Sequence, residues 1–195
     1  MSILVNQQMT RDFDQSVLLY FQSVAGNPII DLAMWAITEI GNVVSLLAFS
    51  AILLIIIRTR RIGLALILAL VVGTIASGYI KGYVVNNQSP TLEFLGTELP
   101  YEVSRDTLVL GNTGSSFPSG HVTRAAALSF IVGFALIQRF PRGAYLLWAF
   151  VALESISRVY VLQHYPTDVF GGTLFGVLIA NIVCKRVKLY EIFKK

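Results

Sequence analysis

A chain of 195 residues that is 55% hydrophobic and only 13% charged, with a mean hydropathy of +0.69, is too apolar to be a water-soluble globule of that size. Its single cysteine, Cys184, excludes an internal disulfide and a thiolate zinc cluster. The net charge of +4 forms no single basic face, which argues against a nucleic-acid partner; the charge is laid out as membrane topology lays it out.

Residues 1–28 lack the basic, apolar and small-residue sections of a secretory signal, so the amino terminus is expected to be mature. Phe13, Val17, Phe21 and Val24 recur at helical spacing among polar neighbours. That pattern predicts a short amphipathic helix on the membrane surface, with a disordered tail as the alternative.

A bilayer core of about 30 Å takes roughly 20 apolar helical residues to cross. Five runs answer that description, over Ile29–Ile57, Ile62–Ile80, His121–Gln138, Ala144–Ser157 and Asp168–Cys184. The expected fold is therefore all-α, a polytopic membrane helix bundle of about five spans forming one membrane-embedded domain over residues 1–195. Arg58, Arg60, Arg61, Arg139, Arg142, Lys185, Arg186, Lys188, Lys194 and Lys195 all fall at one end of these runs. By the positive-inside rule that end and the carboxyl terminus are cytoplasmic, and the expected location is the plasma membrane. Gly172 and Gly176 make a Gly-x-x-x-Gly pair whose ordinary meaning is close helix packing.

The outer segment 82–118 runs between the second and third spans and is long enough to form a binding loop or short interfacial helices. Its acids Glu93, Glu98, Glu102 and Asp106 either shape head-group choice or are simply solvated. Lys81, Arg105, Arg124 and Arg158 stand in or beside the outer segments, against the positive-inside trend. Cations kept on that side point to an anionic ligand.

Two motifs carry the chemistry. Pro118-Ser119-Gly120-His121 opens the third span, where unpaired amide groups of a helix start attract phosphate. Ser119 and Gly120 offer donors and His121 a proton; a Pro-Ser cap followed by a packed histidine is the alternative. Ser157-Arg158, His164 and Asp168 bracket the turn between the last two spans. Asp168 is placed to fix the tautomer of His164, and Arg158 offers a fork of donors to phosphoryl oxygens. An interfacial ion pair of Arg158 with Asp168 or Glu154 is the alternative. Both histidines of the chain fall in these two motifs, on one side of the membrane.

These residues resemble the type-2 phosphatidic acid phosphatase family, which shares a catalytic core with vanadium haloperoxidases. The resemblance covers residues 81–176. Pro-Ser-Gly-His and Ser-Arg-x5-His-x3-Asp match without deviation. It implies that His164 is the nucleophile, Asp168 orients it, His121 protonates the leaving group, and Ser119, Gly120 and Arg158 bind phosphoryl oxygens, with no metal and no cofactor. The family's Lys-x6-Arg-Pro motif is broken here: Lys81 is present, but Gln88-Ser89 stands where Arg-Pro belongs and the proline follows as Pro90. Arg124, three residues after His121 and so near the same helix face, is a candidate for the absent charge. The implied activity is a membrane lipid phosphatase acting on a lipid phosphate or diphosphate, with a polyprenyl diphosphate favoured over phosphatidate or phosphatidylglycerol phosphate. Phosphoryl transfer to another acceptor, or a silent lipid binder or transporter built around Glu39 and Glu154, are the competing readings.

Overall fold

The computed structural model describes residues 2–85, 89–90, 115–137 and 140–191. The described residues are helical throughout their length apart from short connections. In chain order the helices are α1 (Ser2–Val24), α2 (Pro28–Ile40), α3 (Val43–Ile55), α4 (Arg60–Tyr79), a π-helical turn (Ile80–Val84), α5 (Gly120–Leu136), α6 (Pro141–Tyr160), α7 (Pro166–Arg186) and a 3-10 turn (Leu189–Glu191).

Each predicted span is present as helix. The first is not one rod: Gly41 and Asn42 break it into α2 and α3 with a bend of 50°. The local cause is legible, because the Asn42 side chain accepts from the Val44 amide and so caps a new helix at 3.1 Å. Arg60–Val84 and α7 are each long and apolar enough to cross a bilayer, and the bent α2–α3 pair qualifies as a third span when taken together. Helix α5 is apolar over 17 residues. Helix α6 carries Arg142, Glu154 and Arg158, but Glu154 and Arg158 are wholly buried, so their charges face protein and not lipid. The chain is an integral membrane protein.

Helices α4, α5 and α7 share a core around Leu66, Leu70, Ile131 and Ala180. A second cluster, Leu18, Val122, Val151, Leu162, Tyr165 and Val169, joins α1 to α5, α6 and α7 beneath the turn that holds His164. Among the described side chains of α1, Asp14 and Leu18 are buried, with Val17 and Phe21 packed beside them. Phe13, Met9 and Tyr20 are exposed on a neighbouring face, open to lipid as a surface helix requires. The helix therefore has a protein-facing side, Asp14, Val17, Leu18 and Phe21, besides its outward apolar residues.

Gly133 of α5 lies beside Ala144 and Leu147 of α6 and the Ser129 hydroxyl donates to the Leu147 carbonyl, so these helices run antiparallel; Gly73 of α4 lies beside Thr123 of α5, and Lys81, just past α4, acts electrostatically on His164. The carboxyl ends of α4 and α6 and the amino ends of α5 and α7 consequently share one end of the bundle. Arg58, Arg60, Arg61, Arg142, Lys185, Arg186 and Lys188 lie at the other. Arg139, Lys194 and Lys195 fall outside the described residues, as do Glu93, Glu98, Glu102, Arg105 and Asp106.

Candidate active site

The two motifs meet because α5 and α7 start side by side. The Ser119 amide donates to the Asp168 carbonyl at 3.1 Å. A Cβ added to Gly172 would stand 2.7 Å from the Ser119 carbonyl, and one on Gly176 would stand 2.2 Å from that of Thr123. Only residues without a side chain permit this approach, so the Gly-x-x-x-Gly pair packs α7 directly against the first turns of α5. His121 follows in the first turn of α5 and is 1% exposed. The Ser119 hydroxyl is buried and has no hydrogen-bond partner among the described residues.

His164 sits in the turn between α6 and α7. The amides of Gln163 and His164 both donate to the Arg158 carbonyl, at 3.2 and 3.3 Å, and Leu162 takes a left-handed conformation with φ of 53° to let the chain reverse. His164 Nδ1 faces Asp168 Oδ2 at 3.7 Å. The same carboxylate oxygen accepts the Tyr165 amide at 2.9 Å, which sets it at the start of α7. Burial holds the His164 pKa below its ordinary value; Asp168 opposes this, and the positive charges of Lys81 and Arg158 reinforce it.

The predicted cations reach this end from different elements. Lys81, 4% exposed, lies in the π-helical turn, a distortion common where a helix is adapted to a site. Arg158 is fully buried and donates from Nη1 to Thr38 Oγ1 at 2.9 Å and from Nη2 to Gln163 Oε1 at 2.6 Å. Arg124 is 4% exposed in α5, one turn beyond His121. The chain after Lys81 also returns here: Ser89, in the broken first motif, donates through its hydroxyl to the Gln163 carbonyl at 3.3 Å. Sequence reasoning missed Thr38 and Gln163 as partners of Arg158, and Asp31, which accepts from the Tyr160 hydroxyl. Gln163 was discoverable from its place beside His164; Thr38 and Asp31 carry no local signal.

The sequence pattern of the PAP2 superfamily matches residues 61–190. The chain belongs to the PAP2 superfamily. It is 34% identical over 128 residues to an undecaprenyl-diphosphatase of Sulfolobus acidocaldarius, covering 65% of this chain and 56% of that protein. It is 36% identical over 75 residues to phosphatidylglycerophosphatase B of Bacillus subtilis, covering 35% of this chain and 37% of that protein. The chain thus spans between about a third and a little over half of the length of these curated relatives. The crystal structure of a transmembrane PAP2-type phosphatidylglycerolphosphate phosphatase from Bacillus subtilis superimposes with a TM-score of 0.66 at 22% identity, covering 98% of this chain and 88% of that one. That likeness establishes the PAP2 membrane-phosphatase fold. Helices α1 to α3 precede the segment matched to the family.

Proposed function

We propose that this chain hydrolyses the terminal phosphate of a membrane lipid diphosphate, a polyprenyl diphosphate in the first instance, through a phosphohistidine. The observation that carries the reading is the meeting of the two motifs. The Ser119 amide donates to the Asp168 carbonyl at 3.1 Å, which sets the start of α5 with His121 beside the His164–Asp168 pair, and Lys81, Arg124 and Arg158 lie on elements that reach the same end, where a phosphate would find donors.

His164 Nδ1 faces Asp168, so its proton is held there and Nε2 is left to attack phosphorus. The P–N bond forms as the bond from phosphorus to the leaving oxygen breaks, and His121 gives that oxygen its proton. Water then attacks the phosphohistidine with His121 taking the proton back. Lys81, Arg158, Arg124, the Ser119 hydroxyl and the Gly120 amide surround the equatorial oxygens, where charge concentrates in the transition state.

The segregation of Arg58, Arg60, Arg61, Arg142, Lys185, Arg186 and Lys188 to the far end supports a cytoplasmic carboxyl terminus, with the site facing outward. A lipid is favoured over a soluble phosphate because its tail remains in the bilayer while its head reaches the helix ends. The second reading, a phosphatidylglycerol phosphate phosphatase, is favoured by the name of the Bacillus subtilis relative. Phosphate release in detergent from polyprenyl diphosphate, phosphatidylglycerol phosphate and phosphatidate, with a chelator present and with and without an acceptor alcohol, separates these readings and separates hydrolysis from transfer. The expected result is fastest turnover of the polyprenyl diphosphate and a loss of about a thousandfold or more in His164→Ala. Equal release by wild type and His164→Ala on all three lipids would overturn the proposal.

A further inference from the structure

The start of α7 is held from outside the family-matched segment. Pro166 brings no N–H, so the Thr167 amide is the first in that helix to need an acceptor. It donates to Asp14 Oδ1 of α1 at 3.1 Å, and the Thr167 hydroxyl donates to Asp14 Oδ2 at 2.6 Å. Asp14 is only 7% exposed, and Leu18, Val17 and Phe21 pack the same side of α1 into the cluster beneath the His164 turn. A carboxylate is costly to bury, and its two acceptor oxygens are both spent on one residue at a positive helix end.

Thr167 is followed by Asp168, whose Oδ2 holds the Tyr165 amide at 2.9 Å and faces His164 Nδ1 at 3.7 Å. We infer that Asp14 is a positioning residue: α1, distant in the chain, supplies the cap that fixes the first turn of α7, and through it the alignment of the Asp168 carboxylate with the His164 ring. The inference rests on the proposed roles of His164 and Asp168, and it gives the amino-terminal helix a part in turnover beyond contact with lipid. A displacement of about 1 Å at a reacting pair costs on the order of a hundredfold in rate, so loosening this turn acts on kcat while the lipid and phosphate contacts that govern KM remain.

The test uses the full chain in detergent micelles with a polyprenyl diphosphate, comparing Asp14→Ala, Asp14→Asn, Thr167→Val and the double variant Asp14→Ala/Thr167→Val, with rates normalised to folded protein. Asp14→Ala is expected to lose about ten- to a hundredfold in kcat with KM within about twofold. Asp14→Asn, which keeps an acceptor for the Thr167 amide, is expected to recover part of that loss. The double variant is expected to be no slower than Asp14→Ala, because both changes remove one interaction. Amide hydrogen exchange at residues 165–168 is expected to quicken in Asp14→Ala while the rest of α7 stays protected. Wild-type kcat in Asp14→Ala, a loss carried by KM, or multiplying losses in the double variant overturns the inference. If Asp14→Ala does not fold, Asp14→Asn and Thr167→Val decide on the same criteria. If the wild type turns over no lipid phosphate, the proposed function fails, and the exchange measurement alone then decides whether Asp14 holds the start of α7.

Discussion

Around His164, burial and two nearby cations work against protonation, and only Asp168 works for it. The proposed first step needs a neutral His164 and a protonated His121, so the profile of kcat/KM against pH is expected to be bell-shaped. A nucleophile whose pKa is lowered becomes neutral at a lower pH, so the acid limb should fall below 6.5, the ordinary histidine value. Replacing Asp168 by Asn removes the one influence that favours the charged ring; that variant should be slower, with its acid limb displaced further down. A flat profile between about pH 4 and 9 would contradict the assignment. Arg124 is tested at the same scale, because it is buried near His121 whereas Arg142 sits at the far end. Arg124→Ala should lose at least about tenfold in kcat/KM and Arg142→Ala little, and equal small losses would remove Arg124 from the site. The motif residues were legible in the sequence because the proposed chemistry requires particular side chains at spacings set by one turn and one helix start. The bonds of Thr38 and Gln163 to Arg158 and of Asp14 to Thr167 were not legible, since threonine, glutamine and aspartate at those positions look like any polar residue of a helix or turn until their partners are known.

Among the elements, the junction of α5 and α7 is the one on which the site depends. A methyl group at Gly176 would meet the Thr123 carbonyl at 2.2 Å, and backbone on both sides leaves no flexible group to yield. Gly176→Ala is therefore expected to destabilise the fold by about 1–3 kcal/mol and to lower activity by parting the starts of the two helices. Thermal melting in detergent checks the first effect, and phosphate release per folded molecule the second. The Gly-x-x-x-Gly spacing already pointed to close packing, but it did not say which helix comes close. Two other elements departed from their sequence expectations for identifiable reasons. The first span bends because Asn42 caps a second helix within an apolar run, which hydropathy averages over. The second span, expected to end at Ile80, continues as a π-helical turn over Ile80–Val84 that carries Lys81, a local change of winding that hydropathy does not register.

At the scale of the molecule, charge is sorted along the bundle. Exposed cations occupy one end, whereas Lys81, Arg124 and Arg158 are buried toward the other. The proposed orientation predicts that, with Cys184 replaced by Ala, an impermeant maleimide added to intact cells labels Tyr83→Cys and leaves Arg60→Cys unlabelled until the membrane is opened. The reverse pattern would place the site on the cytoplasmic side.

Membrane residence, an all-helical bundle, the family and the two histidine motifs were determined by the sequence alone, because hydropathy, helix starts and motif spacing are local properties that survive without knowledge of neighbours. Which helices touch was decided only in three dimensions. The union of α5 with α7, the hold of Thr38 on Arg158 and the reach of Asp14 to Thr167 join residues far apart in the chain. Their pairing follows from burying polar groups against one another in a packed interior, a condition that no stretch of sequence expresses by itself.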